Sequence, residues 1–153
     1  MTIYRSWADM PQLLGDLMTR EWAAVVAATL ATEPDEGDAV DRVAHALVSI
    51  VRALRDNELF VRIVELDPEL LLPYLLSRRG RSQQAILSLL TAQIEAGQRT
   101  GAVRAGDPVT LARTLVLSAH GFVLSAHTMV DDQSSLEDLD AEWSDQLRRG
   151  LRA

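Results

Sequence analysis

The stretch Asp107–Val130, DPVTLARTLVLSAHGFVLSAHTMV, decides the fold. Asp107 is placed to cap a helix, and Pro108 fits a first turn, where a missing N–H costs nothing. At the helical repeat of about 100° per residue, the residues after Pro108 are apolar on several sides. Leu115, Ala119, Phe122, Ala126 and Met129 form a stripe of mainly larger side chains. Thr114, Ser118, Gly121 and Ser125 form a stripe of small ones, and Val109, Val116, Val123 and Val130 a third. The one strongly polar line is Arg113, His120 and His127. A helix apolar on several faces must be covered on several faces, and one domain of this size covers only part of it. The small stripe lets another helix approach closely, so a second copy of the chain is the expected cover and the expected state is a homodimer. Burying five or six such side chains is worth on the order of 10 kcal/mol, at roughly 1.5–3 kcal/mol each.

A membrane span is the competing explanation, since about 20 residues cross a bilayer. Arg113, His120 and His127 would each be costly in hydrocarbon, and no basic flank sets an orientation. No membrane partner is expected.

The 153 residues suit one domain with a real core. Apolar residues make up 48% and aromatics only 5%, with Leu, Ala and Val dominant, a composition that favours helices over strands. Cysteine is absent, which excludes disulfides, thiol catalysis and thiolate metal sites. Residues 1–20 show no charged n-region followed by an apolar core, so a signal peptide is not expected and a cytoplasmic location is. The net charge of −7 argues against broad non-specific binding to nucleic acid. All 15 basic residues are Arg, a bias of genomic rather than functional origin.

Taken in order, residues 1–9 suggest the end of a short helix and a turn. Asp9 is placed to cap a helix from about Met10 to Thr32, with Pro11 in its first turn and Leu14, Leu17, Met18, Trp22, Val25, Val26 and Leu30 at helical spacing. Glu33 to Asp38 is an acidic loop. A second long helix, roughly Asp38 to Arg55, turns Val40, Val43, Ala44, Leu47, Ile50, Val51 and Leu54 inward. Shorter pieces follow from Glu58 to Leu66 and around Pro68, with Pro73 as a break. Arg78, Arg79 and Arg81 around Gly80 suit a solvated loop, and Ser82 to Arg99 a helix stopped at Thr100-Gly101. In the closing segment Leu136, Leu139, Trp143, Leu147 and Leu151 form one apolar seam. Ser135 with Asp138 suits a capping box there, and Arg148 and Arg149 sit in the last turn, where the helix dipole favours them.

Thr2-Ile3-Tyr4-Arg5-Ser6-Trp7, followed by Leu13-Leu14, resembles the end of the DNA-binding head of TetR-type transcriptional regulators. Ile94 to Pro108, IEAGQRTGAVRAGDP, is similar to the segment that leads into that family's first dimerisation helix. Two positions depart from the pattern: Ser6 stands where a larger side chain is usual, and Met10 replaces a lysine that approaches the DNA backbone. The resemblance implies an all-α, TetR-type C-terminal helical bundle that dimerises through its last two long helices. Residues 1–9 would be the remnant of a helix-turn-helix head, and 10–153 the ligand-binding and dimerisation domain. It further implies that Thr2, Tyr4 and Arg5 derive from a DNA contact.

The chain begins inside the head motif, so the expectation is a regulator of the repressor kind that lacks most of its head. Such a chain holds operator DNA only if an upstream head exists. The alternative is a headless ligand-binding or dimerisation module that does not bind DNA itself. The resemblance also implies a cavity for a small apolar effector, for which Trp22, Val26, His45, Phe60, Ile63, Tyr74, His120 and Phe122 are the candidate lining residues; each of them also suits a plain core position. Thr114, Ser118, Gly121, Ser125, Leu139, Trp143 and Leu147 are the expected dimer interface. His120 and His127 lie about 10 Å apart along a helix, too far to share one metal ion. No metal or other cofactor is expected. No nucleophile elbow, HExxH or phosphate-cradling glycine loop occurs, so the chain is not expected to be an enzyme.

Overall fold

Four helix starts are fixed by a side-chain oxygen accepting from backbone N–H groups that the helix leaves without partners. Asp38 accepts from Val40 and Asp41, Asn57 from Phe60, Asp107 from Thr110, and Ser135 from Asp138. The Asp138 carboxylate returns the bond to the Ser135 N–H, closing the capping box. In the computed structural model, which describes residues 10–32, 37–72 and 79–153, these starts belong to an all-α bundle. The described helices are α1 (Met10–Thr32), α2 (Ala39–Arg55), α3 (Glu58–Leu66), α4 (Arg81–Arg99), α5 (Pro108–Ser125) and α6 (Leu136–Leu151). Single 3₁₀ turns at Pro68–Leu70 and Ala126–Met129 follow α3 and α5. The expected head remnant at 1–9, with Thr2, Tyr4, Arg5 and the Asp9 cap, lies outside the described residues. So do residues 33–36 and 73–78, Tyr74 included.

Helix α2 is the axis of the bundle. Val40, Val43, Ala44, Leu47, Val48 and Val51 are buried along it, and it meets α1, α3, α4, α5 and α6. Its polar ends set its orientation against α6. At the start of α2, Asp41 pairs with Arg148 at 3.0 Å and with Arg152 at 3.0 Å, both from the end of α6. At the other end of α2, Arg52 and Arg55 reach Asp140 in the first turns of α6, at 2.7 and 2.6 Å. Acid therefore faces base at both ends only when the two helices run antiparallel; a parallel arrangement would place like charges together.

Helices α4 and α5 form an antiparallel pair joined by the loop 100–107. Gly101 ends α4 at a φ of +76°, a conformation that side-chain-bearing residues rarely adopt. The chain then doubles back so that Val103 lies on Gly97, where a Cβ would meet the valine at 2.4 Å. The end of the described chain closes over the same loop: Arg104 N–H donates to the Leu151 carbonyl, and Ala153 N–H to that of Ala102.

Three sequence expectations change here. The central helix stops at Ser125, because the backbone tightens into a 3₁₀ turn of about three residues per turn. That shift in period carries Met129 off its stripe, and it is 66% exposed. Arg81 belongs to the first turn of α4, not to a loop, and pairs with Asp16 of α1 at 2.6 Å. Trp143 and Leu147, expected at a dimer interface, are core residues of their own chain at 3% and 6% exposure. Trp143 stacks on Phe122 of α5 with ring centroids 4.3 Å apart. The apolar seam of α6 is thus used up inside one chain, with Leu139 half-buried at its edge.

Asp140 is the buried charge on which the α2–α6 pairing turns. Asp140→Asn leaves Arg55 nearly buried without its anion, and a loss of about 3 kcal/mol is expected. Urea unfolding checks this: the midpoint should fall with the slope unchanged. A midpoint equal to wild type would show that the pair does not hold the two helices together.

Candidate functional site

The helices around α2 carry branched and aromatic side chains that do not fill the space between them. An inner chamber of about 110 Å³ lies among α1, α2, α3, α4 and α5. Trp22 and Val26 form one wall, Leu47, Ile50, Val51 and Leu54 the floor along α2, and Phe60 and Leu71 an end. Ser82, Gln83 and Ile86 of α4 and Val116, Ala119, His120, Val123 and Leu124 of α5 complete it. All of these are buried or half-buried. An outer cleft of about 400 Å³ lies among α1, α2 and α4 and includes the exposed residues Arg42, Leu89 and Gln93. Val26, Leu47, Ile50 and Ile86 line both spaces and so stand between them. The cleft falls within the roughly 300–1,000 Å³ of common ligand sites; the chamber alone does not.

The polar atoms of the inner chamber are few and specific. The Gln83 side-chain oxygen accepts from the Gly80 N–H at 2.8 Å, so the same side chain turns its NH₂ toward His120. The His120 Nε2, 3.3 Å away, must then be the acceptor, which puts the imidazole proton on Nδ1 in a neutral ring. Burial pushes this histidine below its ordinary value near 6.5, in keeping with that form. Trp22 packs edge-on against Phe60 at 5.7 Å, and its indole Nε1 is buried with no partner among the described residues. That donor would recover about 1–3 kcal/mol from an acceptor on a bound molecule.

Of the residues expected at a cavity, Trp22, Val26, Phe60 and His120 are brought together. Ile63 is buried behind them with Met18 and Leu71. Phe122 instead supports Trp143, and His45 is exposed on another side of α2. Gln83, Ile50, Leu54 and Val116 were not anticipated. Val116 and Val123 lie on the valine stripe of α5, so helical spacing already held that signal. Gln83 reaches His120 across 37 residues of sequence, and no local pattern announces that contact. The small stripe of α5 faces outward: Thr114, Gly121 and Ser125 are exposed and Ser118 half-buried. No group of three or more His, Asp or Glu suited to a metal ion occurs among the described residues.

Fold and site together define an all-α bundle with a mainly apolar, two-part cavity. The sequence is similar to an uncharacterized HTH-type transcriptional regulator of Mycobacterium bovis, 31% identical over 125 residues. It is similar to such regulators in two strains of Mycobacterium tuberculosis at 30%. These matches take in 82% of this chain and span 63% of each relative's length. A structure of a protein of unknown function from Rhodococcus sp. RHA1 shares the fold, with a TM-score of 0.72 and 21% identity over 97% of this chain and 76% of that one. No protein-family profile matches the sequence.

His120 gives the site a pH signature. Its pKa is lowered in the folded chain, so the unfolded chain binds the proton more readily. This contribution to stability is fully present above the ordinary value near 6.5 and is lost as the pH falls through the lower folded value. His120→Gln should flatten that part of the stability–pH curve, measured by urea unfolding across the acidic range. An unchanged curve would mean that the imidazole is not held neutral by the chamber.

Proposed function

We propose that this chain is the effector-binding and dimerisation body of a TetR-type transcriptional regulator of the repressor kind, acting in the cytoplasm. The observation that carries this is the two-part apolar cavity walled on one side by α1, the helix that directly follows the head-like segment. The similarity to proteins named as HTH-type regulators supports the same reading. The effector is a small, mainly apolar molecule. Operator DNA is a partner only of a product that carries a helix-turn-helix head, and the chain itself is not an enzyme.

The cavity is coupled to α1 by polar ties on both sides. Arg81 at the start of α4 pairs with Asp16, and the Asn57 amide donates to Glu21 at 3.2 Å. A molecule wedged against Trp22 and Val26 would favour one placement of α1 over another, by no more than its difference in affinity for the two.

Dimerisation uses the outward line of α5: Thr114, Leu117, Gly121 and Ser125, with Ser118 beside them. Leu117 is 68% exposed, and apart from its own helix backbone and chain neighbours nothing described lies within 4 Å of where a Gly121 Cβ would stand. Thr114 and Ser118 turn their hydroxyls back to carbonyls of their own helix, at 2.7 and 2.8 Å. The line therefore makes few polar demands on a partner helix. By length and composition Pro108–Met129 would also cross a membrane. Exposed Arg113 and the ties of α5 to α2 and α4 favour the packed role.

The cavity is tested with Nile red, a neutral apolar dye. Wild type should bind it saturably at one site per chain. Ala119→Trp, which fills the inner chamber, should weaken binding about tenfold or more, equivalent to about 1.4 kcal/mol. Far-UV circular dichroism confirms that the variant folds. No saturable binding by wild type, or equal binding by a folded variant, would contradict the proposal.

A further inference from the structure

We infer that the ligand of this site is a long-chain carboxylate, its head at Arg42 in the outer cleft and its tail threaded into the inner chamber. The inference rests on the effector-binding reading above and adds the chemical class. The inner chamber is too small to hold a ligand of common size by itself, and the outer cleft alone leaves it empty. Val26, Leu47, Ile50 and Ile86, four branched apolar side chains on three helices, line both spaces, so the two adjoin across them. A slender, flexible hydrocarbon chain is the ligand shape that can lie across these four side chains and occupy both spaces.

Charge fixes the direction. Among the described residues no carboxylate lines either space, and the polar residues of the outer cleft are Arg42 and Gln93. Arg42 donates through Nη1 to the Gly37 carbonyl at 2.7 Å, and its guanidinium is the one cation among the described residues that line either space, with a fork geometry that suits a carboxylate. A single guanidinium beside an amide matches a monoanion with two acceptor oxygens. A phosphate ester would bring more charge than one Arg balances, on a chain that is already at −7. At the other end, His120 is desolvated and its Nε2 is occupied by Gln83, so a charged head buried there would lose its water without gaining a cation. Head outward at Arg42 and tail inward toward Trp22 is the arrangement that leaves no ion stranded.

The test follows Trp22 emission on titration with octanoate, laurate, palmitate and hexadecanol below their micellar concentrations, with Nile red as a neutral reference. Trp22→Phe should remove the signal. Affinity should rise about fourfold per added methylene while the tail is entering the inner chamber. Arg42→Ala should weaken palmitate about fivefold and leave hexadecanol and Nile red within twofold. Ile86→Trp, where the two spaces adjoin, should weaken palmitate and spare octanoate. Palmitate binding no tighter than octanoate, or an Arg42→Ala loss equal for palmitate and hexadecanol, overturns the inference. So does saturable Nile red binding by a protein that ignores carboxylates, a result that leaves the effector reading standing. Failure of every probe, Nile red included, removes that reading as well.

Discussion

The constraint on which this structure depends is that α5 carries more apolar surface than the rest of the described chain covers. Leu111, Ala112 and Leu115 are buried against α2 and its neighbours, while Val116, Ala119 and Val123 are only partly covered and face a cavity. Leu117 and Val109 face solvent. One helix thus presents three surfaces with three different fates: a packed core, a space that a ligand can fill, and an outward line with no cover in the described chain. Each rests on the same sequence feature, the run of aliphatic residues interrupted by small ones.

The packed surface gains its rigidity from the pairing of α2 with α6. The Asp41–Arg148–Arg152 group and the Arg52–Arg55–Asp140 group hold the two ends in one orientation, and Trp143 and Leu147 fill the space between. Around α1 the ties include Asp16 to Arg81 and Glu21 to Asn57, both with exposed or part-buried partners. The cavity thus lies beside α1, on the side of the bundle away from the α2–α6 pairing.

Much of the fold was legible in the sequence because helices advertise themselves locally. Asp107 and Ser135 mark starts within three residues of the bonds they make, and Gly101 marks a stop. Apolar spacing on α2 and α6 revealed their inward faces for the same reason. The errors arise where a contact is long-range. The seam of α6 was right as a seam, but spacing cannot say whether Trp143 meets Phe122 of its own chain or a partner. Spacing is equally silent on His45, which shares α2 with the buried Ala44 yet points elsewhere. Of the cavity, the helical faces were visible, but the pairing of Gln83 with His120 and the meeting of Ile50 with Ile86 between the two spaces depend on how α4 lies across α2.

The outward line of α5 is the direct point of attack, because a homodimer is its proposed consequence. Light scattering coupled to size exclusion at micromolar concentration should return twice the 16.9 kDa mass of the chain. A single-chain mass, unchanged as the concentration is raised, would contradict the claim that this helix needs a second copy to cover it.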